Sequence, residues 1–160
     1  MVWIDWRVFT EEWLKRAERG RIIIDDGDRF ISLWIAFDGW MRGKFGEDIA
    51  DRSKIESVKR MQDFKKVFNQ LREDNFTFRE CLDKLEGLSV VNMQFRNNRE
   101  VVYRYDGNFE SLIEVIYQVR CNLFHGRKNI DEDKKDFELV VLSYRILLPL
   151  FKAQLSKNSE

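Results

Sequence analysis

The residues best suited to acid–base chemistry lie together in one short segment late in the chain. It contains His125, the single histidine, which can exchange a proton near neutral pH. Arg120 precedes it by five residues and carries a permanent, forked charge that can hold a phosphate group. Asn122, Arg127 and Lys128 add further donors nearby. The segment therefore predicts a phosphate-binding site, with Arg120 and His125 as catalytic candidates and the other three residues positioning the substrate.

A second interpretation of His125 involves no chemistry. A histidine at the end of a predicted helix, just before a glycine, is an ordinary C-terminal cap that stabilises the helix. Arginine is also common in this chain, so an arginine five residues before a histidine arises readily by chance. The residues alone leave both interpretations open.

The elements that would position this segment are predicted to be helices, because apolar residues recur at helical spacing along most of the chain. We expect an all-α, up-and-down bundle of about five to six helices. The second helix is apolar on nearly every side and should lie in the core, whereas the cations of the third, Lys54 among them, suit a solvated face. The predicted helices span about residues 5–19, 28–44, 51–73, 75–85, 108–126 and 131–155.

The segment between Leu88 and Gly107 departs from this helical pattern. Its apolar residues alternate on both sides of Asn97 and Asn98, which is typical of two strands joined by a turn. A long irregular loop fits the same residues. We therefore expect either a small β-hairpin or a long loop here.

Composition limits the class of protein. The 160 residues suffice for one compact domain, expected over residues 1–156, with a disordered tail over residues 157–160. Basic and acidic side chains balance at 28 each, so any site for a polyanion must be local. The N-terminus lacks the pattern of a signal peptide, and no segment is expected to span a membrane. We therefore expect a cytoplasmic protein with no membrane partner.

The sequence offers little to a metal or cofactor. Cys81 and Cys121 are far apart, without the spacing of a zinc site or a disulfide framework, and are expected to be reduced thiols. The acids Asp25, Asp26 and Asp28 suit a solvated turn better than a magnesium site. We expect no metal and no cofactor.

Two longer motifs point to a known family. The run "YQVRCNLFHGRK", Tyr117 to Lys128, resembles the signature of HEPN domains, the all-helical "higher eukaryotes and prokaryotes nucleotide-binding" family, where a histidine follows an arginine after four to six residues. The run "LWIAFDGW", Leu33 to Trp40, resembles an early-helix block of the subgroup related to Apea proteins. The order and separation of the motifs agree as well, so the resemblance extends from about Phe30 to Leu150.

Three residues depart from the pattern of that family. Cys121 stands directly after the arginine, where members often have a polar residue. Asp38 stands where the subgroup usually has asparagine, and Arg127 replaces a common second glycine. Neither Arg120 nor His125 is affected.

The resemblance implies a metal-independent endoribonuclease, often a toxin or antiviral effector, in which Arg120 and His125 cut RNA. In this chemistry the ribose 2′-hydroxyl attacks the adjacent phosphate and leaves a 2′,3′-cyclic phosphate and a 5′-hydroxyl end. The resemblance also implies a homodimer and, in many members, an antitoxin or sensor such as a nucleotidyltransferase. Helix geometry favours a homodimer too, because five residues place Arg120 and His125 roughly 140° apart, so that two facing copies could line one cleft.

Two other functions fit the same residues. The first is a non-catalytic module of the same fold that binds RNA or a nucleotide, or serves mainly in dimerisation. The second is a helical adaptor in which the aromatic residues are core and His125 is a cap. Cys121 is the feature that leaves the first of these open.

Overall fold

The structure is a computed structural model that describes residues 4–18, 26–91, 101–124 and 134–157. Within these ranges the chain forms seven helices and one two-stranded sheet. The predicted all-α helical bundle is therefore confirmed. The elements are α1 (Trp6–Glu18), α2 (Asp26–Phe45), α3 (Asp51–Lys59), α4 (Gln62–Asp74), α5 (Phe76–Glu86), β1 (Ser89–Val91), β2 (Val102–Arg104), α6 (Phe109–Phe124) and α7 (Lys134–Lys157).

The single helix predicted over residues 51–73 is wrong, because the chain breaks it into α3 and α4. Met61 has extended backbone angles, with φ of −73° and ψ of 108°, and its N–H bonds to the carbonyl of Val58. No glycine or proline marks this break in the sequence. The halves diverge because α3 packs against α2 and α6, whereas α4 packs against α5 and α7. This break adds a helix to the predicted number.

The segment predicted as a hairpin or a loop begins and ends in paired strands. β1 and β2 are antiparallel, with Val90 opposite Tyr103. The strands of the predicted hairpin are therefore confirmed, while its turn residues Asn97 and Asn98 lie outside the described residues. Both strands contact α6, so the sheet packs beside the helix that carries Arg120.

The core is built around α2, as its sequence predicts. Phe30, Phe37 and Met41 of this helix are almost fully buried. The ring of Phe37 meets those of Phe64 on α4 and Phe151 on α7 edge-on, at centroid distances of 6.5 Å and 5.2 Å. Such pairs add about 0.5–1.5 kcal/mol each beyond the burial of their surface. The aromatic residues of α2 therefore hold three helices together.

α7 closes the bundle and packs against α2, α4, α5 and α6. The residues predicted from its spacing to face inward are all buried: Leu139, Leu142, Ile146, Leu147 and Leu150. The helix reaches Lys157, the first residue of the predicted tail, and residues 158–160 lie outside the described residues.

α7 is the helix that bears on the expectation that no segment spans a membrane. Residues Lys135–Lys157 are long and apolar enough to cross a membrane by length and composition, with a mean hydropathy of 1.3 in their most apolar 18-residue window. Half of the most apolar window is nevertheless buried inside the protein. Contacts within the bundle therefore account for much of the apolar character of this helix.

α1 lies close against α2 because two glycines of α2 are beneath it. A Cβ atom on Gly43 would lie 2.8 Å from the Cβ of Trp6, and one on Gly39 would lie 2.5 Å from Cδ1 of Phe9. Real Cβ atoms essentially never approach other atoms so closely. The short distance between α1 and α2 therefore depends on the absence of a Cβ atom at Gly39 and Gly43.

We expect Gly43→Ala to lower the free energy of unfolding by about 1–2 kcal/mol, although alanine is the better helix former. The added methyl group meets the Cβ of Trp6, which is fixed to the backbone of α1, so the helix itself must shift. Urea denaturation followed by circular dichroism measures this change.

Gly87→Ala is the matched control for this variant. Gly87 has an ordinary helical φ of −77°, and the nearest atom to an added Cβ is the carbonyl oxygen of Lys84 at 3.7 Å. Alanine should raise stability there by about 0.5 kcal/mol. Equal effects of the two substitutions would contradict the close packing of α1 on α2.

Candidate functional site

α6 carries the arginine that the sequence predicts to be catalytic. The helix begins after Asn108, whose side-chain oxygen accepts a hydrogen bond of 2.7 Å from the N–H of Ser111, as expected for an N-cap. Its apolar stripe is buried, and the helix ends at Phe124. With this stripe in the core, the side chain of Arg120 lies near Trp34 of α2 and Asp51 of α3.

The guanidinium group of Arg120 lies over two aromatic rings. Its Cζ atom is 4.8 Å from the ring centre of Phe124 and 5.8 Å from that of Trp34. Nη1 is 3.7 Å from Oδ2 of Asp51, which is longer than a hydrogen bond, and 3.9 Å from the sulfur of Cys121. Nε is buried and has no hydrogen-bond partner within the described part of the chain. Stacking holds this guanidinium, while its five N–H donors are weakly used.

A chain of alternating charges joins Arg120 to α2. The ammonium group of Lys54 is buried, with 1% of the side chain exposed, and lies 2.6 Å from Asp38 and 2.9 Å from Asp51. Asp38 also accepts a hydrogen bond of 2.8 Å from Nε of Arg42. Asp51 in turn approaches Arg120. Three cations and two carboxylates thus connect α2, α3 and α6, with one net positive charge.

The surrounding cations lower the pKa of Asp51. Burial by itself raises this pKa, but the hydrogen bond from Lys54 and the positive charges of Lys54, Arg120 and Arg42 outweigh it. The pKa of Asp51 therefore lies below its ordinary value of 3.8. Its contribution to stability is present above the ordinary pKa and is lost as the pH falls through the lowered one.

A cleft of about 270 Å³ opens between α1, α2 and α6, and Arg120 forms part of its wall. The residues that line it are two arginines, one carboxylate and a set of mainly aromatic side chains: Trp6, Phe9, Trp34, Ile35, Asp38, Arg42, Arg120 and Phe124. The indole of Trp6 is held in place by a hydrogen bond of 2.7 Å from its Nε1 to Glu47. The cleft combines fixed flat apolar surfaces with two guanidinium groups.

Of the predicted site residues, Arg120 lies in this cleft. His125, Arg127 and Lys128 lie outside the described residues. In the chain, His125 directly follows Phe124, the residue that stacks on Arg120 and ends α6.

Asn122 lies on another side of α6. Its Nδ2 donates a hydrogen bond of 2.8 Å to the carbonyl of Val91, and its Oδ1 accepts one of 3.0 Å from Gln118. The side chain is buried, with 7% exposed. Two residues correspond to about 200° of rotation around a helix, so Asn122 points away from Arg120. Asn122 therefore anchors β1 to α6, and its predicted role in positioning a substrate stays a prediction.

Tyr117 and Cys121 lie beside Arg120 on the same helix. Burial, followed by the contact with Cys121 and the charge of Asp51, raises the pKa of Tyr117 to about 12. The phenol therefore stays protonated near neutral pH and cannot act as a general base there. Cys121 is buried and free of any disulfide, as is Cys81.

The residues that support Arg120 are not predicted from the sequence. Lys54 is predicted on a solvated face, but it is buried because Asp38 of α2 reaches it from a neighbouring helix. The pair Asp51–Lys54 has helical i, i+3 spacing and the pair Asp38–Arg42 has i, i+4 spacing. Both spacings are visible in the sequence, but many pairs in such a charged chain share them.

No group of three or more His, Cys, Asp or Glu side chains that could hold a metal ion occurs within residues 4–18, 26–91, 101–124 and 134–157.

No family model matches this chain, and no curated protein or solved structure matches it either.

We expect Asp38→Asn to destabilise the protein more than Lys54→Met. The first substitution leaves a buried ammonium group with one of its two carboxylates, and breaking such a pair costs about 3 kcal/mol. The second removes the buried charge and keeps an apolar chain of similar length. It leaves carboxylates that are 24% and 44% exposed, so its cost should be about 1 kcal/mol or less.

Urea denaturation at neutral pH distinguishes the two variants. A larger loss of stability in Lys54→Met than in Asp38→Asn would show that the ammonium group is a net source of stability. Such a result would contradict the assignment of Lys54 as a charge that its partners must compensate.

Proposed function

We propose that this protein is a metal-independent endoribonuclease of HEPN type, with Arg120 and His125 as its catalytic residues. The observation that carries the proposal is the position of Arg120. Its side chain, 22% exposed, forms part of the wall of an aromatic cleft and is held by stacking and one long ion pair. In the sequence, the motif "RCNLFHG" puts the single histidine next to Phe124, the last described residue of α6.

Arg120 would bind the scissile phosphate and stabilise the charge that develops on it. A guanidinium can donate two parallel hydrogen bonds to a phosphate, and these strengthen as negative charge grows on the non-bridging oxygens. The rings of Trp34 and Phe124 would keep the plane of Arg120 fixed during this step. A preorganised donor of this kind lowers the barrier without reorganising during the reaction.

Asp51 would hold Arg120 in the absence of RNA. The two groups are 3.7 Å apart, and Asp51 is also bonded to Lys54 at 2.9 Å. When Arg120 turns to a phosphate, Asp51 therefore keeps a cationic partner. When the phosphate replaces Asp51 as the partner of Arg120, Asp51 stays paired with Lys54. The Asp51–Arg120 ion pair therefore opposes substrate binding only weakly.

His125 would move the proton that the reaction requires. As the 2′-oxygen bonds to phosphorus it loses a proton, and as the bond to the 5′-oxygen breaks that oxygen gains one. An imidazole can perform either transfer, and general acid–base help is typically worth about a hundred to ten thousand fold. The sequence predicts His125 in the last turn of a helix, and the C-terminal end of a helix favours a cation, which would suit protonation of the leaving oxygen.

We propose that two copies of the chain form the complete site. On a helix Arg120 and His125 would lie roughly 140° apart, so one copy cannot direct both at a single phosphate as easily as two facing copies can. Phe124, between them in sequence, is an apolar residue left 43% exposed. Arg127 and Lys128 of both chains would add local positive charge to a protein with no net charge.

A non-catalytic module that binds RNA or a nucleotide is the second candidate. The observation that favours it is Cys121, a weak hydrogen bonder that is buried at the position where members of the HEPN family often carry a polar residue. In this case the cleft would bind its ligand without cutting it.

The proposed cellular role is that of a toxin or an antiviral defence effector in the cytoplasm. Such a nuclease needs control, and an antitoxin or sensor such as a nucleotidyltransferase would supply it. The support for this role is the motif resemblance alone.

We expect Arg120→Ala and His125→Ala each to reduce RNA cleavage at least a hundredfold. Removal of Arg120 takes away charge stabilisation, and removal of His125 takes away proton transfer. Cleavage of a mixed, end-labelled RNA by purified protein measures the rate. Normal cleavage by both variants would reject Arg120 and His125 as the catalytic residues. Binding of RNA by the wild-type protein without cleavage would instead favour the second candidate.

Arg72→Ala is the matched control. Arg72 also stacks on a ring, that of Phe68 at 4.9 Å, and donates a hydrogen bond to a carbonyl, but it lies on α4 away from the cleft. Its substitution should leave the cleavage rate per folded molecule unchanged. Wild-type activity should also persist in excess EDTA and leave 2′,3′-cyclic phosphate ends. Activity that disappears in EDTA and returns with Mg²⁺ would indicate metal-assisted hydrolysis instead.

We expect the specific activity to fall when the protein is diluted below the concentration at which the dimer dissociates, because one copy lacks a complete site. Light scattering over a dilution series, combined with the cleavage assay, tests this. A monomer of undiminished specific activity would refute the shared site.

A further inference from the structure

Arg42 lies in the same cleft as Arg120, and the proposed reaction gives it no role. Its Nε donates a hydrogen bond to Asp38 at 2.8 Å, which is its one hydrogen bond within the described part of the chain. The side chain is 40% exposed, and its Cζ lies 6.0 Å from the ring centre of Trp6. Its terminal amino groups are therefore available to a ligand in the cleft, while Asp38 fixes the direction of the guanidinium.

The cleft also offers an apolar surface of suitable size and shape. Phe124 is 43% exposed at one side, and Trp6 is anchored through Glu47 at the other. Nucleobases stack on aromatic rings whatever their sequence, because every base has a flat π-face. The volume of about 270 Å³ lies just below the usual range for ligand sites, which suits a single nucleotide better than a folded RNA.

Charge complementarity favours a phosphate-bearing ligand over a second apolar surface. Two arginines face the cleft, and the carboxylates around them are already paired with cations, with Asp38 bonded to Lys54 and to Arg42. An apolar segment of a partner would bury these guanidinium groups without an anion to compensate them, which is unfavourable. A phosphate group would bring its own negative charge.

We infer that this cleft binds one unpaired nucleotide of the RNA, next to the phosphate held by Arg120. Arg42 contacts the neighbouring backbone phosphate, and the base stacks on the aromatic rings that line the cleft, Phe124 from α6 and Trp6 from α1. This assignment rests on the proposed function in taking RNA as the ligand. It makes Arg42 a positioning residue that sets where the strand lies, and it requires a single strand because the bases of a duplex are already stacked.

The test uses a fluorescein-labelled 2′-O-methyl RNA oligonucleotide of mixed sequence, which binds as RNA but lacks the attacking hydroxyl. Fluorescence anisotropy gives its affinity at several salt concentrations. Arg42→Gln should weaken binding roughly tenfold and lower the slope of log affinity against log salt by about one, because one phosphate contact is lost. Phe124→Leu should weaken binding roughly tenfold with an unchanged slope, because it removes a stacking surface and no charge.

Lys44→Gln is the matched control for Arg42→Gln. It removes one positive charge from the same helix two residues away, and Lys44 is exposed beside Trp40, outside the cleft. Its affinity and salt slope should stay near those of the wild type. A duplex of the same sequence should compete at least tenfold less well than the single strand. Thermal melting checks that each variant is folded. We expect Arg42→Gln to fold because the side chain of Arg42 is 40% exposed.

The outcomes separate this inference from the proposed function. Binding that depends on Arg42 and Phe124, without cleavage of ordinary RNA, would support the nucleotide site and reject the nuclease. Cleavage by a wild-type protein whose affinity does not change in Arg42→Gln would overturn the nucleotide site and leave the nuclease intact. Equal effects of Arg42→Gln and Lys44→Gln would also overturn it. Loss of the dimer in Arg42→Gln at unchanged RNA affinity would overturn it too, and would identify the cleft as an interface between copies.

Discussion

The buried ammonium group of Lys54 constrains how α2, α3 and α6 pack together. An uncompensated cation inside a protein costs several kcal/mol, so a fold that buries Lys54 must bring carboxylates to it. Asp38 comes from α2 and Asp51 from the first turn of α3, at 2.6 Å and 2.9 Å. This requirement sets how the two helices meet. It also places Asp51 beside α6, where its second oxygen faces Arg120. The cation that joins the helices therefore also determines the surroundings of the proposed catalytic arginine.

The cleft has a separate origin in the contact between α1 and α2. Gly39 and Gly43 allow α1 to approach so closely that Trp6 and Phe9 lie on the surface of α2. Those two rings form one wall of the cleft, and Arg120 with Phe124 contributes from α6. The wall from α1 is positioned by the packing of α1 on α2. The wall from α6 is positioned by the contacts of α6 with α3 and α7. A small shift of one helix would thus change the shape of the cleft even with the same residues lining it.

This arrangement suits a protein that has no net charge and yet, in our proposal, binds a polyanion. Acidic and basic residues balance over the whole chain, so the field at a distance is weak. Asp38 in the cleft and Asp51 beside it are already paired with Lys54 and the arginines, and the guanidinium groups of Arg42 and Arg120 retain unused donors. Stacking surfaces beside them add affinity that does not depend on salt. RNA would therefore be attracted only where it touches the cleft, and not by the protein as a whole.

The sequence by itself determined the fold class, most of the helices and the identity of Arg120 as a residue of interest. Hydrophobic periodicity and capping residues such as Asn108 are local signals, and the structure bears them out. The break at Met61, the burial of Lys54 and the turning of Asn122 toward Val91 were decided by tertiary packing. Each depends on a partner distant in sequence or on a neighbouring helix that competes with local preference. A charged residue at helical spacing looks the same in sequence whether it meets water or a carboxylate of another helix, and only the assembled bundle distinguishes the two.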